Sequence, residues 1–181
     1  MAIRNDFEAL RSFDQEVLDE IVREAELYLQ AQFTAAGASD QRGMAWAGFM
    51  IASTTAALAA AASLVVSGGH IILAITSLGA AAMLLLSTFL AAKAVRPNKF
   101  CFPGNRPANW LPENWHGNGV GTLDIKQARL EQAHTLEKQI CDNVEWAEEA
   151  GKLLHHSMDV AMAAVLLAGC VVVIGLCFGL L

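Results

Sequence analysis

Two stretches of this chain carry no charged side chain, Gly43 to Ala92 and Val160 to Leu181. A bilayer core about 30 Å thick takes roughly 20 apolar residues per helical span. The longer stretch therefore has room for two spans and the shorter for one. Ser67-Gly68-Gly69-His70 is the polar, turn-forming break in the longer stretch. It predicts one helix over 43–66 and another over 71–92. Burying three wholly apolar helices inside a soluble domain would take far more chain than remains, so the pattern reads as an integral membrane protein.

The polar parts carry a different period. From Asn5 to Phe33, the residues Phe7, Leu10, Phe13, Val17, Leu18, Ile21, Val22, Ala25, Tyr28 and Leu29 recur at three- and four-residue steps. That spacing predicts one amphipathic helix. Asn5 or Asp6 is placed to cap it, and acidic residues crowd its first turns as the helix dipole favours. Gly37-Ala38-Ser39 loosens the chain, and Ser39 or Asp40 is placed to cap the first span. Over Thr122 to Leu154 a second stripe runs through Leu123, Leu130, Ala133, Leu136, Ile140, Val144, Ala147 and Leu154. Proline is absent between it and Val160, so this helix can continue unbroken into the last span. Two striped helices on one side of a membrane bury their stripes together. The faces opposite are acidic or mixed, which disfavours the alternative of each lying alone on lipid.

The expected fold is all-α, with three transmembrane helices and two paired amphipathic cytoplasmic helices. Its segments are an amphipathic arm over 1–39, a transmembrane hairpin over 40–92, a connector over 93–122, a second amphipathic helix over 123–159 and a third span over 160–181. A helix pair alone buries little, so a homo-oligomer is expected.

Charge sets the orientation. Arg4, Arg11, Arg23 and Arg42 precede the first span, and the other eight basic residues lie between the second and third. Lysine and arginine gather on the cytoplasmic side. This puts the N-terminus and the connector in the cytoplasm and the C-terminus outside, in a multi-pass protein. The formal net charge of −6 comes largely from the arms, which argues against a nucleic-acid partner. The first 35 residues are charged throughout, so the first span is expected to act as an uncleaved insertion signal.

Catalytic and metal chemistry have little to stand on. Cys101 and Cys141 fall in the cytoplasmic part, Cys170 and Cys177 in the last span, and no CxxC pair occurs. His134, Glu137 and Cys141 share a helical face, but without a second ligand pair no metal is expected. Neither a nucleophile elbow nor HExxH occurs, the spans hold no ionisable residue, and an enzyme is not expected.

The connector holds all four prolines and two of the four tryptophans. Two readings stand. Phe100, Phe102, Trp110 and Trp115 anchor it at the headgroup level, or aromatic faces stack a base while Arg96, Lys99, Asn105 and Arg106 hold its phosphate, with Trp110 as the platform. Gly117-Asn118-Gly119-Val120-Gly121 lacks the strand and the Lys-Ser/Thr of a P-loop and reads as linker. In the last span Gly175-x-x-x-Gly179 permits close helix approach.

The order of parts is similar to a known family. A cytoplasmic helix precedes Asp40-Gln41-Arg42 at the membrane edge. Two close spans, a basic connector, an amphipathic helix and a third span follow. From about Asp40 onward this resembles the transmembrane effectors of Pycsar anti-phage systems. The resemblance implies a partner nucleotide cyclase, activated by infection, that makes cyclic CMP or cyclic UMP. It further implies a bacterial inner-membrane protein with its C-terminus in the periplasm, which senses this ligand in the cytoplasm and impairs that membrane in an abortive infection, with no cofactor of its own. Two other classes fit the residues, a small membrane scaffold and a constitutive channel lined by the Ser and Thr of the first two spans.

Overall fold

The computed structural model describes residues 7–68, 70–96, 100–104, 107 and 125–178, and among them every regular element is helical. The order is α1 (Phe7–Leu10), α2 (Gln15–Val66), α3 (Ile71–Ala94) and α4 (Ile125–Cys177). Helices α2, α3 and α4 are each long and apolar enough to cross a membrane. The chain divides into two units, one from residues 1–36 and 99–146, the other from 37–98 and 147–181.

Two helix boundaries differ from expectation. The helix over 5–33 is interrupted at residues 11–14. Ser12 donates its hydroxyl to the Ala9 carbonyl at 2.7 Å and its N–H to the same oxygen at 3.2 Å. Such local bonds draw the backbone out of a helix. Asp14 then supplies the first carbonyl of α2, accepting the Leu18 N–H at 3.1 Å. Conversely, the expected loosening at Gly37-Ala38-Ser39 does not occur. Residues 37–42 lie inside α2, so Ser39 and Asp40 are not caps. One glycine costs a helix about 1 kcal/mol against alanine, and Ala35, Ala36 and Ala38 flank it. Helix α4 does run unbroken past residue 160.

In the first unit the beginnings of α2 and α4 pack in parallel. Leu18 and Leu29 are fully buried, and Val22, Leu29, Ala133 and Leu136 form one cluster with Ile21, Ala25 and Ile140 against it. Polar groups flank the seam. Arg129 pairs with Asp19 at 2.6 Å, and Gln132 donates to Glu26 at 3.0 Å. The expected stripe shifts beyond Ile140. Val144 and Ala147 are exposed, while Asn143 is buried and Trp146 half-buried.

The second unit is a three-helix assembly. Its α2–α3 turn is where the sequence places it, with Gly68 at φ +64° in the left-handed region and His70 extended before α3. Gly43 presses on Val95, leaving no room for a Cβ beside Val95 Cγ1. Met50, Leu84, Ala161 and Ala164 form the apolar centre. On α4 the covered positions Ser157, Ala161, Ala164, Ala168, Val171 and Gly175 alternate steps of four and three. A 3.5-residue period of mostly small residues allows close, left-handed helix packing. Gly175 is buried on that face, and Gly179 lies outside the described residues.

Candidate functional site

Each unit contains one polar cluster built around a buried side chain. In the first unit that side chain is Asn143, 2% exposed. Its Oδ1 accepts the Cys101 N–H at 2.9 Å, and its Nδ2 donates to the Cys101 carbonyl at 3.1 Å and to Gln32 Oε1 at 3.5 Å. Gln32 in turn donates to the Ile140 carbonyl at 3.4 Å. One amide thus satisfies both backbone groups of a connector residue, as a neighbouring β-strand would.

Aromatic rings close over this strap. Phe33 lies 5.4 Å from Phe102 and 6.2 Å from Phe100, centroid to centroid. Phe100 meets Trp146 edge-on at 5.8 Å. Phe100 and Phe102, read from the sequence as headgroup anchors or base-stacking faces, both take rings of the first unit as partners. Arg96 belongs to the second unit and is exposed just beyond α3. Lys99, Asn105, Arg106 and Trp110 lie outside the described residues, as do Trp115 and the 117–121 glycines.

Beside the strap, Cys141 Sγ donates to Glu137 Oε1 at 3.6 Å. Burial, followed by the negative charge of Glu137, pushes this thiol above its ordinary pKa. Among the described residues no three His, Cys, Asp or Glu side chains converge as a metal site would require. Glu20, held by Arg23, has its carboxyl below the usual range, and both groups are fully solvated.

In the second unit the buried pair is Ser87 and Ser157, both 0% exposed. Each hydroxyl donates to the other residue's carbonyl at 2.8 Å, and the two oxygens are 2.9 Å apart. Trp46 Nε1 donates to Ser157 Oγ at 2.9 Å. All three long helices therefore meet at Ser157. Five other hydroxyls turn inward to their own helices. Ser53, Thr54, Thr55, Thr76 and Thr88 each donate to the carbonyl four residues back. An open groove of about 590 Å³ beside the α2–α3 turn is lined only by aliphatic side chains, among them Leu58, Ala61, Val65, Ile71 and Leu78. It offers no group for polar chemistry.

Sequence reading missed Asn143, Gln32 and Ser157, and counted Ser87 only among the span hydroxyls that could line a channel. The available signal was a polar residue at an apolar-stripe position, which Asn143 occupies three residues after Ile140. Compared with known proteins, the chain matches no family model, no curated protein and no solved structure.

Proposed function

We propose that this chain is a non-enzymatic membrane effector of a bacterial anti-phage signalling system. Its three apolar helices span the inner membrane, with the first unit and the N-terminus in the cytoplasm and the C-terminus in the periplasm. A cyclic nucleotide such as cyclic CMP or cyclic UMP, made by a partner cyclase, binds at the connector and changes how copies of the chain assemble in the bilayer. Membrane integrity then fails and the infected cell stops growing. Ligand acts here only by favouring one assembly over another.

The observation that carries the reading is the continuity of α2 and α4. Each passes from the first unit into the membrane-spanning unit as unbroken helix, and the connector is strapped to the first unit by Asn143. A signal received at the connector has two covalent helical routes to the spans. The inward-turned hydroxyls favour this over a constitutive channel, because they leave few polar groups to line a water path.

Growth on inducing the chain alone, against co-expression with a pyrimidine cyclase, separates the classes. Toxicity only with the cyclase supports the effector, toxicity alone a pore, and none in either case a scaffold. Purified protein in dye-filled liposomes should leak on addition of cyclic CMP or cyclic UMP. If neither leakage nor binding follows, the effector reading fails. Arg106→Ala or Trp110→Ala should abolish the response without altering membrane insertion, and a normal response in both would remove the connector from ligand binding.

A further inference from the structure

We propose that Ser87, Ser157 and Trp46 form a reversible latch between α4 and the α2–α3 hairpin, and that its release is the step by which the spans change state. This goes beyond the nucleotide reading and is independent of it, resting only on α2, α3 and α4 being membrane spans.

The contact is a latch because none of its donors is stranded when it opens. A buried polar group holds a contact shut when parting leaves that group unpaired. Here each donor has a second partner. The hydroxyls of Ser53, Thr54, Thr55, Thr76 and Thr88 already donate to the carbonyl one turn back on their own helices. For Ser87 that carbonyl belongs to Met83, and for Ser157 to Leu153, both inside continuous helix. A turn about one side-chain bond therefore exchanges an interhelical hydrogen bond for an intrahelical one. Trp46 is half-buried and stands one turn inside Arg42, at the depth where indole N–H groups meet headgroups and water. Interhelical bonds in a bilayer hold lightly for this reason, each shifting a population by about threefold.

The apolar packing is also arranged for motion. At the centre of the second unit the large side chains, Met50 and Leu84, come from the hairpin, with Trp46 and Met83 against them, while α4 supplies Ala161 and Ala164. Nothing on α4 has to be withdrawn from a socket before it parts from the hairpin. Lipid tails are as apolar as the side chains they replace, so parting carries no hydrophobic cost of the kind water imposes. Helices α2 and α3, by contrast, are tied by the turn at Gly68 and pressed together at Gly43 and Val95. Helix α4 follows α3 only after residues 95–124. The movable span is α4.

The test adds no nucleotide. The full chain, with its four cysteines replaced by alanine, carries nitroxides at L78C and L167C, both exposed positions. The distance between them is measured in lipid nanodiscs by double electron–electron resonance. The parent chain should show two distances, with the longer in the minority. W46F should raise the ratio of long to short about threefold, and S87A/S157A, which removes all three bonds, about tenfold or more. S53A/T76A, whose hydroxyls bond within their own helices, should leave the ratio unchanged. A single distance throughout makes the serine contact a fixed one and overturns the proposal. So does a ratio that neither latch variant raises above that of S53A/T76A. W46F keeps both serines and decides the matter even if S87A/S157A fails to fold, and none of these outcomes bears on nucleotide sensing.

Discussion

Asn143 stands where a stripe of apolar residues calls for another hydrophobe, and it is kept there by bonds only an amide can make. It donates to and accepts from a single connector residue, Cys101. Removing one partner of a buried hydrogen bond leaves the other unsatisfied, at about 1–3 kcal/mol. Asn143→Ala should therefore free the strap, raising chymotrypsin cleavage at Phe100 and Phe102 by about tenfold or more while α4 stays helical by circular dichroism. Cys141, one turn beyond Glu137, makes a second prediction. Its raised pKa means less thiolate at any given pH than in an ordinary cysteine, and thiolate is the reactive form. In a C101A/C170A/C177A background, iodoacetamide should alkylate Cys141 slowly at pH 7–8, with the rate still climbing above pH 9. Glu137→Gln, by removing a negative neighbour, should shift that rise to lower pH.

At the scale of elements, the contact between α2 and α3 is the most sensitive to side-chain size. A Cβ added at Gly43 collides with Val95 Cγ1 yet stands 3.8 Å from Val95 Cβ, an ordinary contact. Gly43→Ala should destabilise the hairpin by about 1–3 kcal/mol, the usual penalty of overpacking. G43A/V95A should recover most of it, which unfolding by steric trapping would read as a double-mutant cycle. The elements were unevenly legible in the sequence. Ser67-Gly68 marked the α2–α3 turn because glycine tolerates its positive φ, and charge-free length alone marked the spans. The break at residues 11–14 was hidden, because Ser12 acts through a local hydrogen bond that periodicity cannot register. Gly37 misled in the other direction, since one glycine among alanines is too weak to stop a helix. Val144 and Asn143 exchanged roles because an apolar tally cannot foresee a side chain recruited to hold a distant strand of backbone. Gly175 lies on the covered face of α4, a face the Gly175-x-x-x-Gly179 spacing alone did not define, and the candidates from Lys99 to Trp110 rested on residue chemistry without a helical period to fix their neighbours.

For the whole molecule, the reading turns on which ends of the helices face the cell interior. A single cysteine at Ser67, in a chain otherwise free of cysteine, should be labelled by a membrane-impermeant maleimide added to intact spheroplasts. One at Arg96 should react only after lysis, and the reverse pattern would invert the topology. The serine pair has a consequence for the lipid itself. Because Ser157 meets Ser87 on an antiparallel neighbour, Asp159 comes level with Leu85, about 12 Å along the charge-free part of α3 from Lys93 at 1.5 Å per residue. Asp159 is exposed and too short to reach outward as a lysine would. With α3 and α4 spanning a bilayer as proposed, water and headgroups would be drawn toward Asp159 and dimple the leaflet beside α4. On that reading the chain would carry a thinned place in its barrier before any signal arrives, and Asp159→Leu should close it, measured as slower dye leakage from liposomes holding the variant than from those holding wild type.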